Sequence, residues 1–557
     1  MHARSIAMPD GWTDEEFEVL RSPWLVFGHF ALTCVLFVVW GVCQWLRSGQ
    51  EVPNSVGFFH PFTSDGGGGE RVLWCAVREI QRARPDCQCV IYTGDDASGE
   101  ELARRAKERF GVELRTVPGV VKLRWRGLVV PERYPVLTMV GQAIGGALLT
   151  AEAVTSYRPT VFFDTVGHAF GYPVARLAGC VVACYVHYPT ISSDMIARVA
   201  TRSDLYNNRP AVARSYLLSA AKLAYYRLFA VAYGACGRYA ACVAANSSWT
   251  AAHLRRLWRV DRVRVVYPPC DVAGLTDFSL SDRSGGGRGV KGVEGVEGVG
   301  GIEEGPYVVS VGQFRPEKDH ALQLRAWAKM RADERDAATP SVPSNARLKI
   351  VGGCRGEGDE RRLDALRATA KDLGVDDSVE FHVDVPYAKL RELLGGAAAG
   401  VHTMLDEHFG ICVVEYMAAG AVPIAHDSAG PAMDIVVPAV RPEASEGDES
   451  RNDDESGDDV SLPVGFLATT VDGYADAMWA ALSMTEDERV TMATLARARA
   501  SVFSEGAFNG AFIDAMAPAL VSLTLDRRDA ILEAAGVRTR GPRGVVSPAG
   551  GPRPRRG

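Results

Sequence analysis

Beyond residue 54 the sequence alternates, twice over, between short apolar runs and longer amphipathic stretches, and few folds accommodate that pattern. In the first series, residues 55–60, 89–93, 160–164 and 181–186 read as buried strands, with helices expected over 70–82, 100–110 and 172–177. A second series opens with YVVSV at 307–311 and a helix over 320–331. It continues with strand candidates at 347–351, 379–382, 399–403 and 421–425. Continuous apolar runs mark strands covered on both faces, as those of parallel sheets are. The expected fold class is therefore α/β, with two doubly wound, Rossmann-like halves facing a cleft. Ligands of such sheets sit beyond the carboxyl ends of the strands, so residues just after strands are the first functional candidates.

Length and charge narrow the classes further. With 557 residues and 47% hydrophobic content, the chain can bury two or three cores. A formal charge of −7 gives no bias toward nucleic acid, which is excluded as an expected partner. The 12 cysteines form no C-x-x-C pair, so neither a zinc ribbon nor a disulfide framework is expected. Free thiols suit a body that faces a reducing compartment.

Residues 24–46, WLVFGHFALTCVLFVVWGVCQWL, contain no Asp, Glu, Lys or Arg. As a helix this stretch would reach roughly 34 Å, enough for a hydrocarbon core of about 30 Å. Trp24, Trp40 and Trp45 stand near its ends, where indole rings favour the interface. There is no A-x-A-like cleavage site, so a retained single-pass anchor is expected after a flank of residues 1–23, a buried core helix being the alternative. Arg4 and Arg21 precede the span and Arg47 follows it, which encodes orientation only weakly.

The expected domains are 53–278 and 306–525, joined by a low-complexity linker at 279–305 that contains GVEGVEGVGG. Residues 441–459 read as an acidic, solvated insertion in the second domain, and 526–557 as a basic Pro/Gly-rich tail. In 216–243, Lys222, Arg227 and Arg238 exclude an ordinary span; a core helix and a membrane-surface helix both remain open.

Four motifs follow strands. GFFHPFTSDGGGGER at 57–71 places four glycines between a strand and a helix. It matches neither G-x-x-x-x-G-K-[ST] nor G-x-G-x-x-G, so a loose turn and an anion-binding loop stand as equal readings. SVGQFRPEKDH at 310–320 sets Arg315 and Lys318 in a loop after a strand, where two cations could neutralise a diphosphate; two solvated loop charges are the ordinary alternative. EHFGICVVE at 407–415 holds two carboxylates eight positions apart, with a helix start expected near Gly410. A solvated acid is a poor account of Glu415, which stands in VVEYMAAG, where an unpartnered charge is costly. His187 directly follows the strand at 181–186, within reach of the cleft, although a satisfied structural histidine is the commoner outcome. The N-x-S sequence at 246–248 reads as a helix cap at Asn246 or Ser247. No D-x-D pair offers itself to a divalent metal, which leaves Arg315 and Lys318 to balance phosphate charge.

Together, R-P-E-K at 315–318 and the E-x7-E spacing of Glu407 and Glu415 resemble the nucleotide-sugar site of retaining GT-B glycosyltransferases of family 4. FFHPFTSDGGGGERVLWCAVR, YVHYPTISSDM, NSSWT, VYPPCD, SVGQFRPEKDH and EHFGICVVEYMAAG, in that order, are similar to the dolichol-pathway α-1,2-mannosyltransferase family. The resemblance covers about residues 57–435 and resumes at 464–468. It implies a GT-B fold and a metal-independent reaction in which GDP-mannose is the donor. Its acceptor would be a dolichyl-diphosphate oligosaccharide, extended by the fourth and fifth mannoses. It further implies the cytosolic face of the endoplasmic reticulum membrane and assembly with other dolichol-pathway mannosyltransferases. By the same resemblance, Arg315 and Lys318, with the amides of Gly68, Gly69, Gly410, Ile411 and Cys412, hold the donor diphosphate, and Phe409 is a further donor-binding residue. Glu415 would hold the ribose, Glu407 the mannose, and His187 would lie beside the transferred sugar. His187 and Glu407 are thus the catalytic candidates. Asp65 departs from the small or neutral residue that relatives often carry there. A transferase using a UDP-sugar and a non-catalytic GT-B scaffold are the alternatives.

Overall fold

Strand β1 (Glu51–Phe59) shows how the apolar runs settle: Val56, Phe58 and Phe59 are all buried, and successive side chains enter opposite faces of one sheet. The computed structural model describes residues 23–64, 66–201, 216–281, 305–336, 342–440 and 461–523. The flank at 1–23, the linker at 279–305, the acidic insertion at 441–459 and the tail at 526–557 lie mostly or wholly outside the described residues, and so does Asp65.

The first sheet continues with β2 (Gln88–Thr93), β3 (Gly119–Lys122), β4 (Arg158–Asp164), β5 (Val181–Val186), β6 (Cys242–Ala245) and β7 (Val263–Val265). All its pairs are parallel, in the order β3-β2-β1-β4-β5-β6-β7. The second sheet holds β8 (Tyr307–Val311), β9 (Arg347–Gly352), β10 (Val379–Val383), β11 (Ala399–His402) and β12 (Val422–His426). A small antiparallel pair, β13 (Ala439–Val440) with β14 (Ser461–Leu462), precedes its last strand, β15 (Phe466–Ala468). The order is β10-β9-β8-β11-β12-β15, again parallel throughout. Strand order reverses between β1 and β4 in one sheet and between β8 and β11 in the other. These reversals are the switch points at which crevices form, and the loops after β1, β8 and β11 carry three of the four motifs.

Both faces of each sheet are covered. Phe59, Phe162 and Cys184 enter one core of the first sheet, while Phe58, Phe163 and Tyr185 enter the other. Val308 and Val309 divide the second sheet in the same way. The second core of the first sheet is closed from far along the chain. The helix Glu505–Val521 returns to it with Phe508, Phe512, Met516 and Ala519. Each large apolar side chain buried in this way is worth about 1.5–3 kcal/mol. That helix lies on Gly68–Ala83, which explains why polar Arg78 and Glu79 are buried there: Arg78 pairs with Glu79 at 2.9 Å and with Glu505 at 2.8 Å. Where the chain returns, Cys270 N–H donates to the Phe503 carbonyl at 3.0 Å, so the two crossings between the halves run side by side.

The uncharged stretch forms the helix Pro23–Leu46. Its end docks on the first half through buried Leu46 and an Arg47 Nε bond to the Leu177 carbonyl at 3.1 Å. Phe37, Val38 and Trp40 are all more than 60% exposed. The side chains of residues 23–32 and of Val35 lie outside the described set, and among the described residues no helix is long and apolar enough to cross a membrane. The segment left open at 216–243 is the helix Tyr216–Gly237 followed by β6. Tyr226, Phe229, Ala230 and Tyr233 are buried against the first half, and Leu218, Leu228 and Val231 stay exposed.

Candidate active site

Two glycines of the loop stand where a side chain would be strained or crowded. Gly66 sits at φ +70°, a left-handed conformation open to glycine, with its N–H bonded to Glu70 Oε1 at 2.6 Å. At Gly68 an added Cβ would lie 2.5 Å from Ile411 Cδ1, which reaches across from the second half. The helix begins at Gly68, two residues before the expected start, so Gly68 and Gly69 form its first turn. Gly67 caps it without a side-chain hydrogen bond. The same is true of the helix Ile411–Ala419, which starts from Gly410 at φ +105°. Two uncapped helix N-termini therefore converge on the cleft, and exposed first-turn amides with aligned dipoles favour an anion between them.

Of the two cations and two acids of the second half, the structure brings Lys318 and Glu407 together, while the charges that face Glu415 are Arg71 and Asp271. Lys318, in the short turn Pro316–Lys318 that Arg315 caps, donates from Nζ to Glu407 Oε2 at 2.6 Å. Thr403 Oγ1 fixes the turn by donating to the Lys318 carbonyl at 2.8 Å. Val311 N–H donates to Tyr416 Oη at 2.7 Å, tying the end of β8 to the helix that carries Glu415. Burial alone would raise the Glu407 pKa, but the His402 hydrogen bond and the Lys318 charge hold this carboxyl well below the usual range. It stands ionised beside Gly410, where an added Cβ would lie 3.5 Å from Glu407 Cγ.

Glu415 is different. Burial pushes it up to about 7 against the opposing Arg71 charge, and Asp271 adds to the rise. Its folded pKa lies above the ordinary carboxylate value, so the stability it contributes is complete below about pH 4 and is lost as pH rises to about 7. Glu415→Gln is expected to stabilise the ligand-free protein at pH 8 by on the order of 3 kcal/mol and to leave pH 4 melts unchanged. Thermal melts at the two pH values check this; equal effects at both would mean that Glu415 titrates in the fold as it does in the unfolded chain.

His187 follows β5, as expected. Its ring bonds the Thr165 backbone, and Nε2 has no partner although it lies 3.6 Å from where a Gly69 Cβ would be. Burial brings its pKa down to about 4, so the ring is neutral at pH 7 and Nε2 offers a lone pair toward the cleft. Cys412 places Sγ 3.4 Å from His402 Nδ1. Phe409 is set apart from the other candidates: its side chain is 2% exposed and packs against Tyr267 and Phe503, so it supports the loop from the core rather than lining the cleft. Ser247, not Asn246, caps its helix, accepting from Thr250 N–H at 3.1 Å.

Several contributors escape a reading of the motifs. His60 is buried after β1, bonded through Nδ1 to Thr165 Oγ1 at 2.6 Å and kept neutral by burial. Arg198 of the helix Ser193–Ala200 pairs with Asp406 across the cleft, and the Tyr188 and His408 rings meet with centroids 4.1 Å apart. Buried Asp434 accepts from Ser248 N–H and Tyr267 Oη, each at 2.9 Å, and so joins the halves. Position after a strand would have drawn attention to His60; the partners of Arg198 and Asp434 have no sequence signal. Among the described residues no group of three or more His, Cys, Asp or Glu is arranged to hold a metal ion.

Comparison with known proteins agrees with this geometry. Residues 53–258 match the family described as "ALG11 mannosyltransferase N-terminus", and 297–446 match "Glycosyl transferases group 1". A solved structure of Anabaena HepE in complex with UDP and glucose superposes with a TM-score of 0.52 at 16% identity, covering 83% of this chain and 99% of that one, a likeness of fold. The mouse protein named GDP-Man:Man(3)GlcNAc(2)-PP-Dol alpha-1,2-mannosyltransferase is 42% identical over 473 residues, 84% of this chain and 88% of its own length. Its human counterpart of the same name is 38% identical over 512 residues, 90% of this chain and 96% of that one. At such identity over nearly the whole of both chains, this protein belongs to the GDP-Man:Man(3)GlcNAc(2)-PP-Dol alpha-1,2-mannosyltransferase family.

Proposed function

We propose that the chain is a retaining α-1,2-mannosyltransferase that moves mannose from GDP-mannose to Man3GlcNAc2-PP-dolichol and then to Man4GlcNAc2-PP-dolichol. The names of its relatives support this reading. The observation that carries it is the Lys318–Glu407 pair at 2.6 Å in a cleft where two uncapped helix N-termini converge. Residues 53–278 are the acceptor domain and 306–525 the donor domain.

Breaking the anomeric C–O bond leaves an oxocarbenium-like sugar and a GDP whose negative charge grows. Arg315 and Lys318, with the amides of Gly68, Gly69, Ile411 and Cys412, meet that charge without reorganising, which is where most of the rate acceleration arises. Glu407, ionised, accepts from the mannose hydroxyls. Glu415, with a pKa near 7, accepts from the ribose hydroxyls. Neutral His187 accepts a sugar hydroxyl at its free Nε2 and orients the ring. Same-face attack by the acceptor, with a diphosphate oxygen assisting its deprotonation, retains the α configuration.

The exposed apolar surface of Pro23–Leu46 supports a single-pass anchor in the endoplasmic reticulum membrane, with the catalytic halves on the cytosolic side and other dolichol-pathway mannosyltransferases within reach. The test is transfer by the full chain in detergent from radiolabelled GDP-mannose to a synthetic Man3GlcNAc2 lipid diphosphate. Products one and two mannoses longer, sensitive to α-1,2-mannosidase, are expected, with GDP and not UDP competing. Absence of product from folded protein that binds GDP would overturn the proposal.

A further inference from the structure

The last residue of β11, His402, lies below the floor of the cleft with its side chain 3% exposed. Every polar group of this residue at that end is engaged. Nε2 is 3.1 Å from Glu407 Oε2, Nδ1 is 3.4 Å from Cys412 Sγ, and the carbonyl accepts from Tyr474 Oη at 3.1 Å. The ring has no freedom to turn. Glu407 Oε2 is therefore shared between two cationic side chains, His402 and Lys318, while Oε1 takes the His408 N–H at 3.1 Å. In the proposed reaction, on which this inference rests, Lys318 is needed by the diphosphate. Once it turns away, Glu407 keeps one cation, and a buried carboxylate that loses its last partner reprotonates or swings out.

We infer that His402 is a positioning residue for sugar transfer: as an imidazolium it keeps the Glu407 carboxylate ionised and aimed at the mannose while Lys318 serves the diphosphate. The groups around it fit that role. Burial lowers the His402 pKa, but Cys412 and Glu407 carry it up to about 9 against the Lys318 charge. His320, from the helix that follows the Lys318 turn, and His426, at the end of β12, face the same ring and are driven toward neutrality by burial, with the His402 charge contributing. The cluster thus concentrates its histidine charge on one ring, the one in contact with Glu407. A purely structural histidine needs no such charge.

The test compares His402→Gln, which keeps a donor but not the charge, and His402→Leu, which keeps neither, in the full chain. Turnover of both is expected to fall by about 10- to 100-fold, Leu more than Gln, with KM for GDP-mannose within about threefold of the parent. The sign of the pH response is specific. In the parent, turnover declines as pH rises through about 9, where the imidazolium is lost. In His402→Gln that limb disappears, and the acidic limb moves to higher pH because Glu407 has lost a cation. Unchanged turnover, or pH limbs identical to the parent's, would overturn the inference. So would loss of both GDP binding and the cooperative melt in both variants, which would assign His402 to the fold alone. Glu407→Gln separates this inference from the reading beneath it. Full activity in that variant removes Glu407 from the reaction altogether, whereas an inactive Glu407→Gln beside a normal His402→Gln removes only His402.

Discussion

Replacing Lys318 by Ala is expected to lower kcat/KM for GDP-mannose by about 10³-fold or more, because a charge-assisted partner of the leaving diphosphate disappears from a water-poor cleft. The loss falls on the reaction and hardly on the fold. Glu407, which shares its Oε2 between Lys318 at 2.6 Å and His402 at 3.1 Å, retains the imidazolium, so unfolding is expected to shift by only about 1 kcal/mol. Lys318→Arg is not a rescue: a planar fork does not reproduce a compact ammonium in a site where the side chain is 22% exposed. Transfer assays with saturating acceptor, together with GDP titration calorimetry and thermal melts, separate the two effects. A loss smaller than tenfold in well-folded protein would remove Lys318 from the diphosphate site.

Asp434→Ala is expected to cost about 3 kcal/mol of stability and to depress turnover as well, although the residue touches none of the proposed donor groups. It is 2% exposed and accepts from the first turn of Ser248–Leu254 and from Tyr267 Oη, while its own carbonyl accepts from Arg499. Its loss leaves a buried amide and a buried phenol without an acceptor at the joint between the halves. Asn in its place keeps one oxygen acceptor and is expected to fall between Ala and the parent. Chemical denaturation midpoints measured beside turnover check this. If Ala lowers neither, the joint is held by packing rather than by Asp434.

The strands that could be read from the chain are the ones buried on both faces, such as β1, β4, β5 and β8, where apolar content alone identifies them. β3, β6, β7 and β15 escaped: all are short, β3 (GVVK) is partly exposed at the sheet edge, and β6 follows directly on an apolar helix that masks it, whereas β11, equally short, is still legible. The helix start at Gly68 runs against helix propensity. The bare backbone at Gly68 leaves room for the Ile411 side chain, which arrives from a position 343 residues later, a contact with no local signature. Arg315, Lys318, Glu407 and Glu415 stood out as charges placed after strands or in apolar surroundings. His402 did not, because a histidine ending the strand AGVH looks like core until its three neighbours are known. Phe409 shows another limit of the motif: its place between Glu407 and Gly410 suggests a donor contact, while the core position that its ring fills has no local signal.

The return of Glu505–Val521 to the first sheet bears on how the protein is made. Phe163 leaves the ribosome 349 residues before Phe512, the ring it finally packs against. At roughly 5–20 residues per second that interval is about 20–70 s, during which one face of the first sheet is covered only in part, by the helix Gly68–Ala83 and its neighbours. The nascent first half therefore waits, with Phe58, Phe163 and Tyr185 beneath a missing helix, until the second half has been translated. A stop codon ahead of residue 505 would leave the whole cleft lining encoded and yet yield a chain that chaperones retain and proteases clear.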